Sequence, residues 1–178
     1  MDMRNPSDLY DAIAARLQQE INGITTGGYE SFGDELVGDA VVLIEFERSE
    51  SAGRDNAGRI GHRLDITLHC VVGRHRHRTE LEAVNLAAAV ERLAHDCSWG
   101  LPREQIDWPK NIRSAPSMFK KGPGGFEAWG VSFSQTIYLG SRLMTGDTPV
   151  GAIWYAVTPP ADANDPAQYQ RFDHEGSD

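Results

Sequence analysis

Apolar residues return at every fourth position near the start of the chain, with polar residues between them. This stripe consists of Leu9, Ile13, Leu17 and Ile21. It follows Asn5, a preferred helix cap, and Pro6, which suits the first helical position, while Asp8 complements the helix dipole at the third position. The pattern predicts an amphipathic helix that begins at Pro6 and ends at Gly23.

A second helical pattern follows Arg78. Thr79 and Glu82 have the spacing of a capping box, in which both side chains bond to free backbone N–H groups of the first turn. The apolar face then contains Ala83, Leu86, Ala87, Val90, Leu93, Ala94 and Cys97. Because several of these residues are small, we expect a helix that lies close to a sheet and ends before Trp99.

The middle of the chain has the pattern of two strands and a turn. Ala40–Glu47 is a β-branched run, which predicts a buried strand. The polar and small residues of Ser49–Gly58 predict an exposed hairpin loop. Apolar and polar residues then alternate, which predicts a half-buried strand. Its apolar side is Leu64, Ile66, Leu68, Cys70 and Val72, and its polar side is Arg63, Asp65, Thr67 and His69.

Three further segments complete the pattern of elements. Ile24–Val37 contains glycines and predicts short extended structure with turns. Trp108–Met118 predicts a short strand, and Pro109 and Pro116 place it at a sheet edge or a bulge. In Glu127–Leu139 bulky residues alternate with small ones, which predicts a strand whose bulky side faces the core.

The elements follow the order helix, strands, helix, strands. The simplest packing is an α+β domain over residues 1–140, with an antiparallel or mixed sheet of about four to five strands and both helices on one face. Residues 141–178 are rich in proline and acidic side chains. We expect them to form an extended C-terminal arm, with a frayed end at residues 173–178.

Composition is that of a globular protein. The chain is 40% hydrophobic and 24% charged, and the absence of a long apolar run predicts neither a membrane span nor export. The formal net charge of −9 opposes general attraction to a phosphate backbone. In a chain that is not exported, we expect Cys70 and Cys97 to be reduced and packed.

The stretch HCVVGRHRHR, residues 69–78, holds three histidines, one cysteine and three arginines. We expect no metal site here, because His69 and Cys70 point to opposite faces of a strand and the arginines repel a cation. If the strand continued to residue 78, a positive ridge would form from Arg74, Arg76 and Arg78. Docking on a complementary protein surface, contact with phosphates and a solvated link all remain open for this segment.

No catalytic constellation is evident in the sequence. The Gly-x-Ser-x-Gly motif is absent, and Cys97 lies at the end of an apolar helical face, where thiols are inert. Gly122–Gly125 is not followed by the Lys-Ser/Thr pair of a phosphate-binding loop. We therefore expect no enzyme activity, no catalytic residue, no bound metal and no cofactor.

The arm carries aromatic residues that a proline-rich segment cannot bury by itself. These residues are Trp154, Tyr155, Tyr169 and Phe172. Aromatic anchors are typical of protein interfaces. Together with the three arginines they are our candidate interface residues; in the alternative, the arm folds back over its own domain.

Four regions of the chain carry a resemblance to a known family. They are DLYDAIAARLQQEINGI, AVVLIEFE, GHRLDITLHCVV followed by RTELEAVNLAAAVERLA and WG, and FEAWGVSFSQTIYLG. Over residues 7–140 the chain resembles the tail terminator, or tail completion, proteins of long-tailed bacteriophages and prophages. The arm extends beyond the shortest members and is similar to extensions in some phage relatives.

The resemblance implies a structural virion protein without catalytic residues. A small α+β subunit would form a homo-oligomeric ring, expected to be a hexamer, at the head-proximal end of the tail tube. The ring would end tail polymerisation and join the tail to the neck. The implied partners are further copies of the chain, the tail tube protein and the neck or head connector protein, with no membrane. DNA would only pass through the lumen, which suits the negative net charge. The implied location is the virion tail or neck, and the host cytoplasm during assembly.

Two other functions remain open. A head-completion or neck adaptor ring would have the same kind of subunit at another position in the particle. A small metal-dependent enzyme or nucleic-acid-binding module would instead use the segment from His69 to Arg78, with His75 and His77 as further ligands.

Overall fold

A computed structural model describes residues 3–28, 40–73, 76–120, 125–143, 154–156 and 165–171. The chain divides into two compact units, Met1–Leu143 and Met144–Asp178. The first unit contains two helices, α1 (Pro6–Glu20) and α2 (Thr79–Ala94). Its described strands are β1 (Ile24–Gly27), β2 (Ala40–Arg54), β3 (Ile60–Gly73), β4 (Lys110–Lys120) and β5 (Phe126–Leu139).

These five strands form one sheet in the order β1-β2-β3-β5-β4. β1 is parallel to β2, and every other neighbouring pair is antiparallel. Apolar residues of both helices pack against one face of this sheet in a single buried cluster. The predicted α+β class, with a mixed sheet and two helices on one face, is confirmed.

The start of α1 is the one that the sequence predicts. The carboxylate of Asp8 accepts hydrogen bonds from the backbone N–H groups of Arg4 (2.7 Å) and Asn5 (3.0 Å). These bonds lower the pKa of Asp8 from its ordinary value. The helix carries Leu9, Ile13 and Leu17 into the core, where all three are fully buried.

The start of α2 differs from the predicted capping box. Arg78 is the cap residue and has a left-handed backbone, with φ of 59°. Thr79 is the first helical residue, and its hydroxyl donates to the Arg76 carbonyl (2.9 Å) rather than accepting from a backbone N–H of the first turn. Glu82 pairs with Arg76 (3.2 Å) instead. The helix ends at Ala94, so Cys97 lies beyond it and not on its apolar face.

The predicted loop over Ser49–Gly58 is also wrong, because β2 continues to Arg54. Its polar residues form cross-strand ion pairs, Arg48 with Asp65 (3.0 Å) and Glu50 with Arg63 (2.5 Å). The chain reverses only after Arg54. There Asp55 accepts hydrogen bonds from the backbone N–H groups of Ala57 and Arg59.

Burial of β3 exceeds the predicted half-buried pattern. Thr67 and His69, expected on an open face, expose only 4% and 7% of their surface. On the same side of the sheet, opposite the helices, lies a second buried apolar cluster of Val41, Leu43, Val71, Phe126 and Ala128. The sheet is therefore covered on both faces at this end.

β4 is an edge strand among the described residues, as its prolines predict. Its pairing with β5 shifts register twice, between Lys110 and Arg113 and between Pro116 and Phe119. An extra residue in one strand of an antiparallel pair is a β-bulge, which changes the direction of nearby side chains.

The second unit contains a small antiparallel pair of strands, β6 (Trp154–Tyr155) and β7 (Gln170–Arg171). A single 3-10 turn, Pro166–Gln168, precedes β7. The side chain of Asp165 caps this turn by accepting from the backbone N–H of Ala167 (3.0 Å). Two-stranded ladders of this size have little stability of their own.

Candidate functional site

Three polar side chains from three different strands form one hydrogen-bonded chain on the sheet face opposite the helices. His69 of β3 lies between Ser117 of β4 and Glu45 of β2. The Nδ1 atom of His69 is 2.5 Å from Ser117 Oγ, and its Nε2 atom is 3.0 Å from Glu45 Oε2. We refer to these three residues as the Ser–His–Glu cluster.

Strand register explains how the cluster forms. His69 is directly opposite Leu43 on β2, so Glu45 is its diagonal neighbour and lies within reach. On the other side, Gly130 of β5 is directly opposite His69. β4 comes after β5, and Ser117 therefore reaches His69 across the position of Gly130.

Gly130 adjoins this contact and adds no side chain to it. A Cβ atom at this position would lie 3.2 Å from Thr67 Cγ2, 3.5 Å from Ser117 Cβ and 3.7 Å from His69 Nδ1. A larger residue would occupy the space through which the serine and histidine meet. Gly130 thus has a packing role that a strand glycine often has, the close approach of neighbouring groups.

Hydrogen-bond chemistry defines one tautomer of a neutral imidazole that fits both contacts. An ionised carboxylate only accepts, so opposite it Nε2 of His69 would donate to Glu45. Nδ1 would then accept a hydrogen bond from the hydroxyl of Ser117. This is the arrangement of a serine, a base and an orienting acid, with the two ring nitrogens in the reverse of their usual roles.

Within the cluster, His69 is the most buried residue, and Glu45 and Ser117 on either side of it are more exposed. The side chain of His69 is 9% exposed, and that of Glu45 is 36% exposed. Ser117 lies on the exposed surface of the edge strand. Ser117 is therefore accessible from solution as a residue, while the imidazole behind it is shielded and their hydrogen bond is partly buried.

A second polar group lies beside the cluster. The hydroxyl of Thr67 hydrogen-bonds to the carboxylate of Glu47 and lies 2.7 Å from the hydroxyl of Ser132. A cavity of about 340 Å³ opens next to these residues on the same sheet. Its charged lining comprises Glu47, Arg48, Arg63, Asp65 and Arg113. Three arginines and two carboxylates thus line it, and the mixture of signs favours no simple anion or cation.

The structure separates the cysteine of the 69–78 stretch from its histidine. Cys70 points into the core and has no exposed surface, and burial raises the pKa of its thiol to about 12. His69 points to the other face, as the sequence predicts. Within the described ranges, no three His, Cys, Asp or Glu side chains are grouped so that they could hold a metal ion. His75 lies outside these ranges.

The predicted positive ridge does not form as an extended strand. β3 ends at Gly73, and Arg78 has a left-handed backbone at the start of α2. The chain turns into α2 there and does not continue as an extended strand to residue 78. Arg76 is neutralised by Glu82, while Arg78 lines a surface depression of about 410 Å³ with Leu81. Arg74 lies outside the described residues.

The aromatic candidates of the second unit are mainly exposed. Trp154 exposes 57% of its surface and Tyr155 exposes 43%. The hydroxyl of Tyr155 donates to Gln170 across the two strands (3.1 Å). Tyr169 is partly buried, and Phe172 lies outside the described residues.

Sequence reasoning did not find the Ser–His–Glu cluster. Its members are 24 and 48 residues apart, and no short motif contains them. The available signals were a histidine on a polar strand side, glutamates at the end of the preceding strand, and a glycine within the closing strand.

Comparisons with known proteins identify no family for this chain. No protein-family model matches it, and no curated protein matches it. Within the part of the chain that the structure describes, neither helix combines the length and the apolar composition that crossing a membrane requires.

Proposed function

We propose that this chain is a structural subunit of a long-tailed phage or prophage particle, a tail terminator that acts as a homo-oligomeric ring. The proposal rests first on the resemblance. Each region that carries it forms a regular element of the first unit: α1, β2, β3 with α2, and β5. These elements pack as the small α+β subunit that the resemblance implies.

The observation that carries the assembly part of the proposal is the exposure of Trp154 and Tyr155. Adjacent aromatic side chains on a two-residue strand expose about half of their surface to solvent. Large exposed aromatic groups gain free energy when a partner surface covers them. A neighbouring copy of the chain, or the tail tube protein, would supply that surface.

Native mass measurement of the full chain, alone and mixed with tail tube protein, tests the proposal. We expect a ring-sized oligomer, and we expect tail tubes to stop growing when the chain is added. The double variant Trp154→Ala/Tyr155→Ala should reduce the oligomer. Trp108→Ala is the matched control, because Trp108 is also exposed (41%) but stacks on Arg103 within the first unit.

A chain that stays monomeric under all conditions and leaves tube length unchanged would contradict the proposal. Electron microscopy of virions with a labelled chain adds the position of the ring. Density at the end of the tail tube supports a terminator, whereas density at the head vertex would assign the neck adaptor function instead.

A further inference from the structure

We propose that Ser117 is an activated nucleophile, with His69 as its general base and Glu45 as the residue that orients the base, and that the site takes small, reactive carboxylic esters. The proposal is independent of ring assembly, because it concerns a site in the first unit alone. Its basis is the juxtaposition of a serine hydroxyl, an imidazole nitrogen and a carboxylate on one sheet face.

The first argument is the short contact between the hydroxyl and the imidazole. The 2.5 Å separation of Ser117 Oγ and His69 Nδ1 is within the reach that a general base needs. An ordinary serine hydroxyl is a weak nucleophile, and an adjacent base that accepts its proton is the usual means of activation. Nε2 faces Glu45, so Nδ1 is the ring nitrogen that faces the hydroxyl of Ser117.

The second argument is access. Ser117 is exposed on an edge strand, and it lies within the β-bulge between Pro116 and Phe119. The neighbouring position is Gly130, which adds no side chain above the sheet. A small ester can therefore approach the hydroxyl from solvent without displacing part of the core.

The reaction itself needs no further co-reactant than water. Ser117 Oγ attacks the carbonyl carbon, a C–O bond forms, and the hydroxyl proton moves to His69 Nδ1. The tetrahedral intermediate then expels the alcohol, which takes that proton, and leaves an acyl ester on Ser117. Water then attacks the acyl carbon and gives one proton to Nδ1. The bond between the acyl carbon and Ser117 Oγ breaks, Oγ takes the proton back from Nδ1, and a carboxylic acid is released.

The competing account is a structural hydrogen-bond network that satisfies a buried histidine and has no reactivity. Covalent labelling separates the two. The folded full-length chain is treated with a fluorophosphonate probe, and the adduct is located by peptide mass spectrometry. Hydrolysis of p-nitrophenyl acetate is measured in parallel.

We expect an adduct on Ser117 and its loss in Ser117→Ala. Ser132→Ala is the matched control, since Ser132 lies on the same sheet face but bonds to Thr67, and its labelling should equal wild type. His69→Asn should slow labelling of Ser117 by about 10²-fold or more, the usual contribution of a general base. Urea unfolding of each variant confirms that it remains folded, and variants that unfold are replaced by His69→Gln.

Glu45 is a positioning residue, so its test needs a structural readout as well. Long-range ¹H–¹⁵N NMR of the imidazole should show a proton on Nε2 in the wild type and a mixture of tautomers in Glu45→Gln, together with slower labelling. The proposal is overturned if the folded wild type gives no adduct on Ser117, or if Ser117 is labelled at the same rate in the His69 variant as in the wild type. The cluster is then a structural network.

Discussion

Ser117 and His69 are joined by a hydrogen bond although a whole strand, β5, separates the strands that carry them. Neighbouring strands lie about 4.8 Å apart, so the two backbones are about twice that distance from each other. Gly130 of β5 is directly opposite His69 and its Cβ position lies close to both side chains. The contact is therefore a property of three strands in one register rather than of a local motif.

Gly130→Ala should shift the side chains around this hydrogen bond without unfolding the protein. The added methyl group would crowd Thr67 at 3.2 Å and would touch Ser117 and His69 at ordinary contact distances. Replacing a glycine by alanine also stabilises the fold by about 0.4–1 kcal/mol through the unfolded state, which offsets the crowding. We expect a change in unfolding free energy below about 1 kcal/mol in urea titrations, together with altered imidazole ¹⁵N shifts.

Ser132→Ala is the control for this experiment, because it lies on the same strand and face as Gly130 but bonds to Thr67. Its imidazole shifts should match those of the wild type. Unchanged shifts in Gly130→Ala would contradict the role assigned to the glycine.

Asp55→Asn should destabilise the turn between β2 and β3. Asp55 pairs with the guanidinium of Arg59 (3.0 Å), whose side chain is only 2% exposed. Removing the charge leaves a buried cation without its counter-ion, which is strongly unfavourable. We expect a clear fall in unfolding free energy at pH 7. Glu104→Gln is the control and should have almost no effect, because its pair with Arg142 is more than half exposed.

The same pair predicts how stability changes with acid. Partial burial acts to raise the pKa of Asp55, but hydrogen bonds from Arg59 and Ala57 outweigh it, and the pKa lies below its ordinary value of 3.8. A lowered folded-state pKa stabilises the fold above the unfolded-state pKa and loses that effect as pH falls through the folded value. The stability difference between wild type and Asp55→Asn should therefore shrink below about pH 4. A constant difference from pH 7 to pH 2 would contradict this.

Gln135→Leu should be among the more destabilising changes in the first unit. Gln135 is 1% exposed, accepts from the indole N–H of Trp99 (2.8 Å), and donates to the carbonyls of Cys97 and Asp107. Leucine leaves these three groups without that partner, and each such buried group costs about 1–3 kcal/mol. We expect a loss of about 3 kcal/mol in denaturant titrations followed by tryptophan fluorescence.

The exposed Gln19 supplies the comparison, because Gln19→Leu changes the same side chain without burying anything. Its effect should stay within about 0.5 kcal/mol. If both variants unfold at the same denaturant concentration, Gln135 does not hold the segment between Cys97 and Asp107 in place.

Local patterns predicted the parts of this fold that depend on local interactions. The cap and stripe of α1 and the alternation of β5 are encoded within a few residues of each other, and both are confirmed. The capping box of α2 failed because Arg78 takes a left-handed backbone, and Ser49–Gly58 failed because cross-strand ion pairs extend β2. In the first case a backbone conformation, and in the second the contacts with a neighbouring strand, outweighed the local preference of the sequence.

The candidate site could not be predicted from the sequence. Its geometry depends on the register of four strands, and a shift of one residue would turn every side chain to the opposite face. The sequence correctly predicted that His69 and Cys70 point to opposite faces of their strand. It contained no information on which serine or glutamate would contact the imidazole. A glycine in a strand interior was the one local sign of a close approach at that level.

The two cysteines should differ sharply in reactivity because of their different burial. Cys70 has no exposed surface and burial raises its pKa to about 12, so at pH 8 its thiol is neither accessible nor ionised. Cys97 is partly exposed and unpaired. Ellman's reagent should therefore modify one thiol per chain in the folded protein and two in urea. Cys97→Ser should abolish the reaction of the folded protein, while Cys70→Ala should preserve it. Rapid modification of both thiols before unfolding would mean that the sheet opens at β3, and the packing of α2 against that strand would then be far less stable than the buried cluster implies.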